Sequence, residues 1–519
     1  MLSFPWWLSL AIGFLSLSEE ILWVRIVGFA FESLPFAFAF VLACYLIGIA
    51  LGAAFGKSLC ARIKNLYAPA AIVLALAALA DGLIPKLISE LPLTEETQRL
   101  AFFTIAIVMS AALKSILFPI AHHLGTLATG PEVGRRVSRI YFGNIVGATL
   151  GPLVTGFLAL DYLNVDECFA IVAAACLLLS LGCVLKAGRP QLIAAPLAAA
   201  LALSTFVGKL ALPGPGCLRV LAIGNVALTH FVANRHGVVH TVRTEVGDFV
   251  FGGNVYDGIA AVDVDRNANR LDRLYLLALL GGSAKRVLAV GLSTGAWVRA
   301  LEGFPGIEQI DVVEINPAYV QLIRAYADLA PLLDDRRLHI YIDDGRRWLK
   351  RHPEARFDLI VQNTSYYWRA NMGNLLSREY FANVREHLNP GGIFTTNATG
   401  SFDVLATLNS VFPHAYRYAS FAYASDRALQ PDFELLQRVQ RPDGTLFNIE
   451  GASARSVVGK LASARLEPAT AFIARHNADA AVISDDNLLS EYRHGRRFGP
   501  RFLQTLEPPE PAEFTTDEP

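Results

Sequence analysis

Apolar residues crowd the first two-fifths of the chain into long, nearly unbroken runs, whereas beyond residue 212 they alternate with polar positions over short stretches. Runs of about 20 apolar residues fall near 5–29, 35–56, 66–88, 101–124, 139–160, 167–187 and 190–208. As α-helices each covers the roughly 30 Å of a bilayer's hydrocarbon core. Residues 1–210 are therefore expected to form a multi-pass bundle of six or seven helices. The first run lacks a basic leader and a small-residue cleavage site, so it reads as a span rather than a secretory signal.

The loops give the bundle an orientation. Lys57, Arg62 and Lys64, then Arg135, Arg136 and Arg139, then Lys186 and Arg189 follow the even runs, while the odd loops carry Glu90, Glu95, Glu96, Asp161, Asp166 and Glu167. Basic loops stay in the cytoplasm, which places the N-terminus there. The run at 190–208 is short and Ala-rich, and reads as a re-entrant or interfacial segment that keeps the following half cytoplasmic.

Two runs carry glycine every fourth residue, Gly48, Gly52 and Gly56 in one and Gly143, Gly147 and Gly151 in the other. Such a stripe forms a groove for another helix, inside the bundle or at a homodimer seam. The two stripes occupy corresponding places in two groups of three spans, the layout of an inverted repeat. Glu19, Glu20 and Arg25 in the first run and Lys114 in the fourth should face the interior and pair, for instance Glu20 with Lys114 or Arg25. They serve either as a structural ion pair or as a site for a polar solute.

Past residue 211 the pattern changes period. Short alternating stretches broken by Gly247 and Gly252-Gly253 predict antiparallel hairpins in a small β subdomain over 211–268. From 269 to 505 a helix is followed by strands at 286–291, 310–315, 338–342 and 357–361 with helical segments between them, the rhythm of a doubly wound, Rossmann-like sheet of the S-adenosylmethionine-dependent methyltransferase type. Residues 506–519, rich in Pro, Glu and Thr, are expected to be disordered.

Composition sharpens the division. The 519 residues are 53% hydrophobic and 18% charged; the second half has about twice the charge density of the first. A net charge of −1 supplies no basic field for nucleic acid. Six cysteines, none in a CxxC pair or at metal-ligand spacing, read as small core residues, and no metal site is expected.

The chemistry gathers after the 286–291 strand. Gly291, Ser293 and Gly295 open a helix and let a ligand approach the backbone at its N-terminus. A G-x-S-x-G turn also marks a hydrolase nucleophile elbow, but the following residues favour a nucleoside. Glu314 ends the second strand about 20 residues on, where an acid can accept ribose hydroxyls. Asp344-Gly345 follows the third strand, where an acid can accept an adenine amine, and the end of the fourth overhangs the switch point. With no second phosphate cradle, an adenosyl sulfonium fits better than a dinucleotide.

The order VLAVGLSTG, VVEINPAY, DDGRRWL, FDLIVQNTS, LSREYF and HLNPGGIF resembles the spermidine synthase (polyamine aminopropyltransferase) superfamily. SEEILWVR and RIYFGNIVGATLGPLVTGF resemble the spans of bacterial members fused to a multi-span membrane domain. The resemblance implies a glycine loop at Gly291, Ser293 and Gly295, a ribose acid at Glu314 and an adenine-contacting acid at Asp344, beside Gly345. It also implies decarboxylated S-adenosylmethionine as donor, or S-adenosylmethionine in a methyltransferase variant, an amine or polyamine acceptor, and location in a bacterial inner membrane.

The family's catalytic Asp-x-x-Asp pair falls on Asn363 and Tyr366 here, the loop acid on Thr294, and the acceptor-side Tyr-His-Glu triplet has no counterpart in residues 269–272. A neutral amide cannot take the proton an ammonium must lose before it attacks carbon. Tyr256, Asp257, Asp263, Asp265 and Asn267 are the substitutes on the acceptor side, Tyr366, Tyr367 and Trp368 could box a cation, and Asp485-Asp486 is a further acid pair. The sequence thus supports a membrane-anchored aminopropyltransferase-like enzyme. Its alternatives are a non-catalytic transporter or sensor that binds a nucleoside or polyamine, and a methyltransferase.

Overall fold

The computed structural model describes residues 3–93, 95–126, 132–208, 216–281, 284–363, 366–448, 455–487 and 489–493. The tail expected at 506–519 lies outside the described residues. The chain divides into two compact units, one of Met1–Glu32, Phe36–Asn225 and Ala233–Arg235, the other of Ser33–Pro35, Val226–Val232 and His236–Pro519.

The first unit is helical: α1 (Phe4–Ala30), α2 (Phe36–Arg62), α3 (Tyr67–Glu90), α4 (Glu96–Gly125), α5 (Glu132–Val154), α6 (Val165–Ala187) and α7 (Ala194–Gly208). A five-residue π-helical turn, Thr155–Ala159, prolongs α5 to Tyr162. Five of these helices, α2 to α6, are long and apolar enough to cross a membrane. The glycine stripes work as grooves within the bundle. Cβ atoms at Gly48, Gly52 and Gly56 would lie 2.6, 2.2 and 2.5 Å from the carbonyl oxygens of Val108, Ala112 and Ile116 on α4. Gly147 and Gly151 meet the carbonyls of Leu10 and Phe14 on α1 at 1.9 and 2.3 Å in the same sense. Helix α7 packs on α3, with Leu203 lying over Gly82.

The charges of the helical unit pair differently from the expectation. Lys114 Nζ lies 2.5 Å from Glu19 Oε2 and 2.7 Å from Asp81 Oδ1, all three buried, so Glu19 rather than Glu20 faces inward. Adjacent helical residues point about 100° apart, and only one of the two glutamates can look at α4. Asp81, on α3, joins the cluster without having been singled out in the sequence. Ser110 Oγ donates to Glu19, Trp23 Nε1–H donates to the same carboxylate at 3.3 Å, and Cys176 Sγ lies 3.9 Å from Asp81.

The second unit carries two sheets. The first has four strands, β1 (Leu228–Asn234), β2 (Gly237–Thr244), β3 (Gly247–Gly252) and β4 (Val255–Ile259), in sequence order. The second has eight: β5 (Arg286–Val290), β6 (Gln309–Glu314), β7 (Leu338–Ile342), β8 (Phe357–Gln362), β9 (Leu388–Asn397), β10 (His414–Tyr418), β11 (Phe421–Ser425) and β12 (Glu467–Pro468). Their order is β12-β10-β11-β9-β8-β5-β6-β7, parallel from β9 to β7 and antiparallel from β12 to β9. Near-continuous apolar strands such as residues 287–290 suit a sheet covered on both faces. The chain winds outward both ways from β5 and β8, so a switch point opens at their carboxyl ends, where open α/β sheets bind ligands.

Candidate functional site

A cavity of about 700 Å³ opens at that switch point. The loop after β5 forms one wall because its backbone is left-handed three times, at Gly291 (φ 91°), Ser293 (φ 49°) and Gly295 (φ 79°). A Cβ at Gly295 would sit 2.7 Å from Ile323 Cδ1, so glycine there serves both the turn and the packing of the helix Ala318–Arg324, which follows β6. Ser293 Oγ donates to the Asp257 carbonyl at 2.7 Å, tying the loop to β4.

Of the residues singled out in the sequence, Tyr256, Asp257, Gly291, Ser293, Asn363 and Tyr366 line this cavity together. Gly295, Glu314, Asp344 and Gly345 are not among its lining residues. Glu314 is buried, its Oε2 accepting Leu292 N–H and its Oε1 accepting Asn316 N–H, each at 2.7 Å. Burial pushes its carboxyl up to about 7 against the pull of those two amides. Asp344 caps the helix Gly345–Arg351, accepting Arg347 N–H at 2.7 Å. Gly345 lies against the Val290 side chain.

Asp257 is a half-buried acid of the cavity; burial raises its carboxyl, while Arg369 and a hydrogen bond from the Tyr319 hydroxyl pull the other way. Asp263 pairs with Arg266 at 3.5 Å, and Asp265 accepts Arg441 Nη2 through both oxygens at 3.1 Å. Asn267 Nδ2 donates to Asp272 Oδ1 at 2.5 Å.

Two expectations are corrected. Tyr366 and Trp368 stack on each other, centroids 5.1 Å apart and planes 17° apart, and Tyr367 is buried in the core, so the three do not form an open box. Asp485 is held by Arg346 at 2.5 Å and by the Ser377 hydroxyl at 2.7 Å, a strap for the C-terminal segment far along the chain.

Residues the sequence reading passed over complete the walls. Asn269 is left-handed (φ 56°) and fastens β4, accepting Ile259 N–H at 2.7 Å and donating to the carbonyls of Ile259 and Ala261. Arg270 and Arg273 line the cavity beside it. Their only signal is local: Arg273 follows Asp272 at the start of a helix, Asp272–Gly281, that is apolar from Leu274 onward.

Fold and cavity define an α/β protein of the Rossmann-like methyltransferase type. Residues 275–414, which include the glycine loop, Asn363, Asn397 and Thr399 of the cavity, match the spermine/spermidine synthase domain. The C-terminal region of this chain therefore carries a spermine/spermidine synthase domain. The polyamine aminopropyltransferase of Mycobacterium tuberculosis is 26% identical over 316 residues, covering 55% of this chain and 57% of that protein. That of Alkaliphilus oremlandii is 30% identical over 145 residues, 28% of this chain and 45% of that protein. The chain thus spans about half the length of the curated relatives it matches. The crystal structure of spermidine synthase from Thermotoga maritima aligns with 46% of this chain and 89% of its own, at 15% identity and a TM-score of 0.37.

Proposed function

We propose that the second unit binds an adenosyl sulfonium, decarboxylated S-adenosylmethionine in the simplest case, and transfers its alkyl group to an amine, while the helical unit anchors it in a bilayer. The observation that carries this reading is the coincidence of the matched domain with the cavity wall: the glycine loop, Asn363 and Asn397 fall inside residues 275–414.

In this reading the adenosine lies along the loop 291–295. Glu314 holds the loop and, through its remaining lone pairs, the ribose; Asp344 serves the base at the edge. The acceptor nitrogen attacks the sulfonium-bound carbon, a C–N bond forms, the C–S bond breaks, and its electrons leave on a neutral thioether, methylthioadenosine. Sulfur is already a good leaving group, so alignment supplies most of the acceleration. The nitrogen must shed a proton, which Asn363 cannot accept. Asp257 takes that role, its ordinary acidity weakened by burial.

The neutral Asn363 also favours a second reading, a unit that binds the nucleoside without turnover. One assay separates them. Purified protein is incubated with decarboxylated S-adenosylmethionine and a panel of amines, and methylthioadenosine is measured. Release that requires an amine, and that falls at least about a hundredfold in Asp257→Asn, supports transfer; binding with no release under any amine supports the second reading.

A further inference from the structure

Arg273 is a half-buried cation of the second unit. Among the described residues it makes no ion pair and no side-chain hydrogen bond, and its Nε is fully buried with no acceptor. Its guanidinium stands over the Phe421 ring, 5.5 Å from the centroid. Asp272 acts on it electrostatically, but the two oxygens of that acid are already engaged, Oδ1 by Asn267 Nδ2 and Oδ2 by the Tyr418 hydroxyl at 2.9 Å. Arg270, a second cation, acts on it from the same stretch of wall.

The charge balance of the cavity follows. Of the five charged residues on its wall, Asp263 and Arg266 neutralise each other. Asp257 is drawn on by Arg369, and one of its oxygens already accepts the Tyr319 hydroxyl, so no acid of the wall is left to complete Arg273. Leaving a guanidinium half-buried and unpaired is costly unless a ligand completes it. Its planar fork fits a carboxylate through two parallel hydrogen bonds. The backbone here is also left-handed at three non-glycine residues, Asn267, Asn269 and Arg270 (φ 53°, 56° and 53°), strain of a kind that collects where side chains must be aimed.

We infer that the cavity binds a substrate bearing a carboxylate, which Arg273 grips against the Phe421 face, so that one of the two reactants is an amino-acid-like molecule rather than a simple polyamine or its decarboxylated donor. This rests on the adenosyl-sulfonium reading of the same cavity. The carboxylate has two sources: a donor that keeps its α-carboxyl group, as S-adenosylmethionine does, or an acceptor that is an α-amino acid. A pure diamine would bring its cations to a wall that already carries Arg270 and Arg273.

Calorimetry on the full-length protein in detergent distinguishes the cases. Methylthioadenosine, which has no carboxylate, should bind wild type and Arg273→Gln equally. S-adenosylmethionine should bind wild type at least tenfold more tightly than its decarboxylated form, or ornithine at least tenfold more tightly than putrescine in the presence of methylthioadenosine. The first result identifies the donor as the source and the second the acceptor. Either preference should shrink to within about twofold in Arg273→Gln and survive in part in Arg273→Lys, with melting temperatures confirming that both variants fold. Methylthioadenosine binding without either preference, or a preference untouched by both variants, overturns the carboxylate assignment alone. No methylthioadenosine binding overturns the nucleoside reading, and this inference with it.

Discussion

Lys114 in the helical bundle and Arg273 in the β-sheet unit are both cations drawn out of water, yet Lys114 touches Glu19 and Asp81 at 2.5 and 2.7 Å whereas Arg273 has no carboxylate partner among the described residues. The bundle answers its charge from within, and adds Ser110, Trp23 and Cys176 around the two acids. The cavity surrounds its charge with a ring face and a fully engaged acid. A buried charge completed by its own chain fixes the register of the helices that supply the partners. One left incomplete is shaped toward something from outside. The comparison assigns the bundle cluster to architecture and the cavity arginine to recognition.

The sharpest way to break the comparison is to remove each cation. Lys114→Met leaves two carboxylates facing each other in an apolar core, and should lower the bundle's stability against denaturing detergent by about 3–5 kcal/mol. Asp81→Asn, which keeps a one-to-one pair, should cost much less.

Glu314 tests the cavity wall by its titration. Its carboxyl sits near 7 in the folded protein, above its ordinary value of 4.5. The folded form thus holds a proton that the unfolded chain has released. That stabilisation is complete below about 4.5 and is lost as pH rises through 7, an increment on the order of 3 kcal/mol. Unfolding of the second unit followed between pH 5 and 8 should show this slope, and Glu314→Gln should flatten it.

Gly147→Ala probes the bundle without touching charge. Its added methyl would meet the Leu10 carbonyl at 1.9 Å. Helices α1 and α5 must then part, at about 1–3 kcal/mol. Smallest of all should be Arg273→Gln: with no native partner to orphan, unfolding stability should move by less than about 1 kcal/mol while carboxylate selectivity collapses. A loss as large as that of Lys114→Met would mean that Arg273 is structural after all, and would erase the distinction.

Much of this was written in local pattern. The strands at 286–290, 309–314, 338–342 and 357–362 and the turn at Gly291 are visible because apolar runs and glycines declare themselves over a few residues. Side-chain destinations were less visible. Glu19 and Glu20 are equivalent in sequence, and only the 100° step of the helix, set by packing against α4, decides which meets Lys114. Asp81 is one acid in an Ala-rich helix, with nothing local to announce a partner 33 residues on. Glu314 and Asp344 sit at the predicted strand ends but spend their oxygens on backbone amides, a use of carboxylates that residue type alone does not reveal. Arg273 lies one residue from a stretch that drew attention for what it lacked, and its significance appears only once Asp272 is seen to be occupied by Asn267 and Tyr418.

The most direct test of the central claim, that adenosine lodges at the carboxyl ends of β5 and β8, is equilibrium binding of methylthioadenosine to wild type and to Gly291→Val. Gly291 has a φ of 91°, which a β-branched residue adopts only under strain, and a Cβ there would stand 3.4 Å from the Asn363 carbonyl. The account predicts saturable one-to-one binding to wild type and at least a tenfold loss in the variant. Equal affinity in the two, or no saturable binding at all, would contradict it.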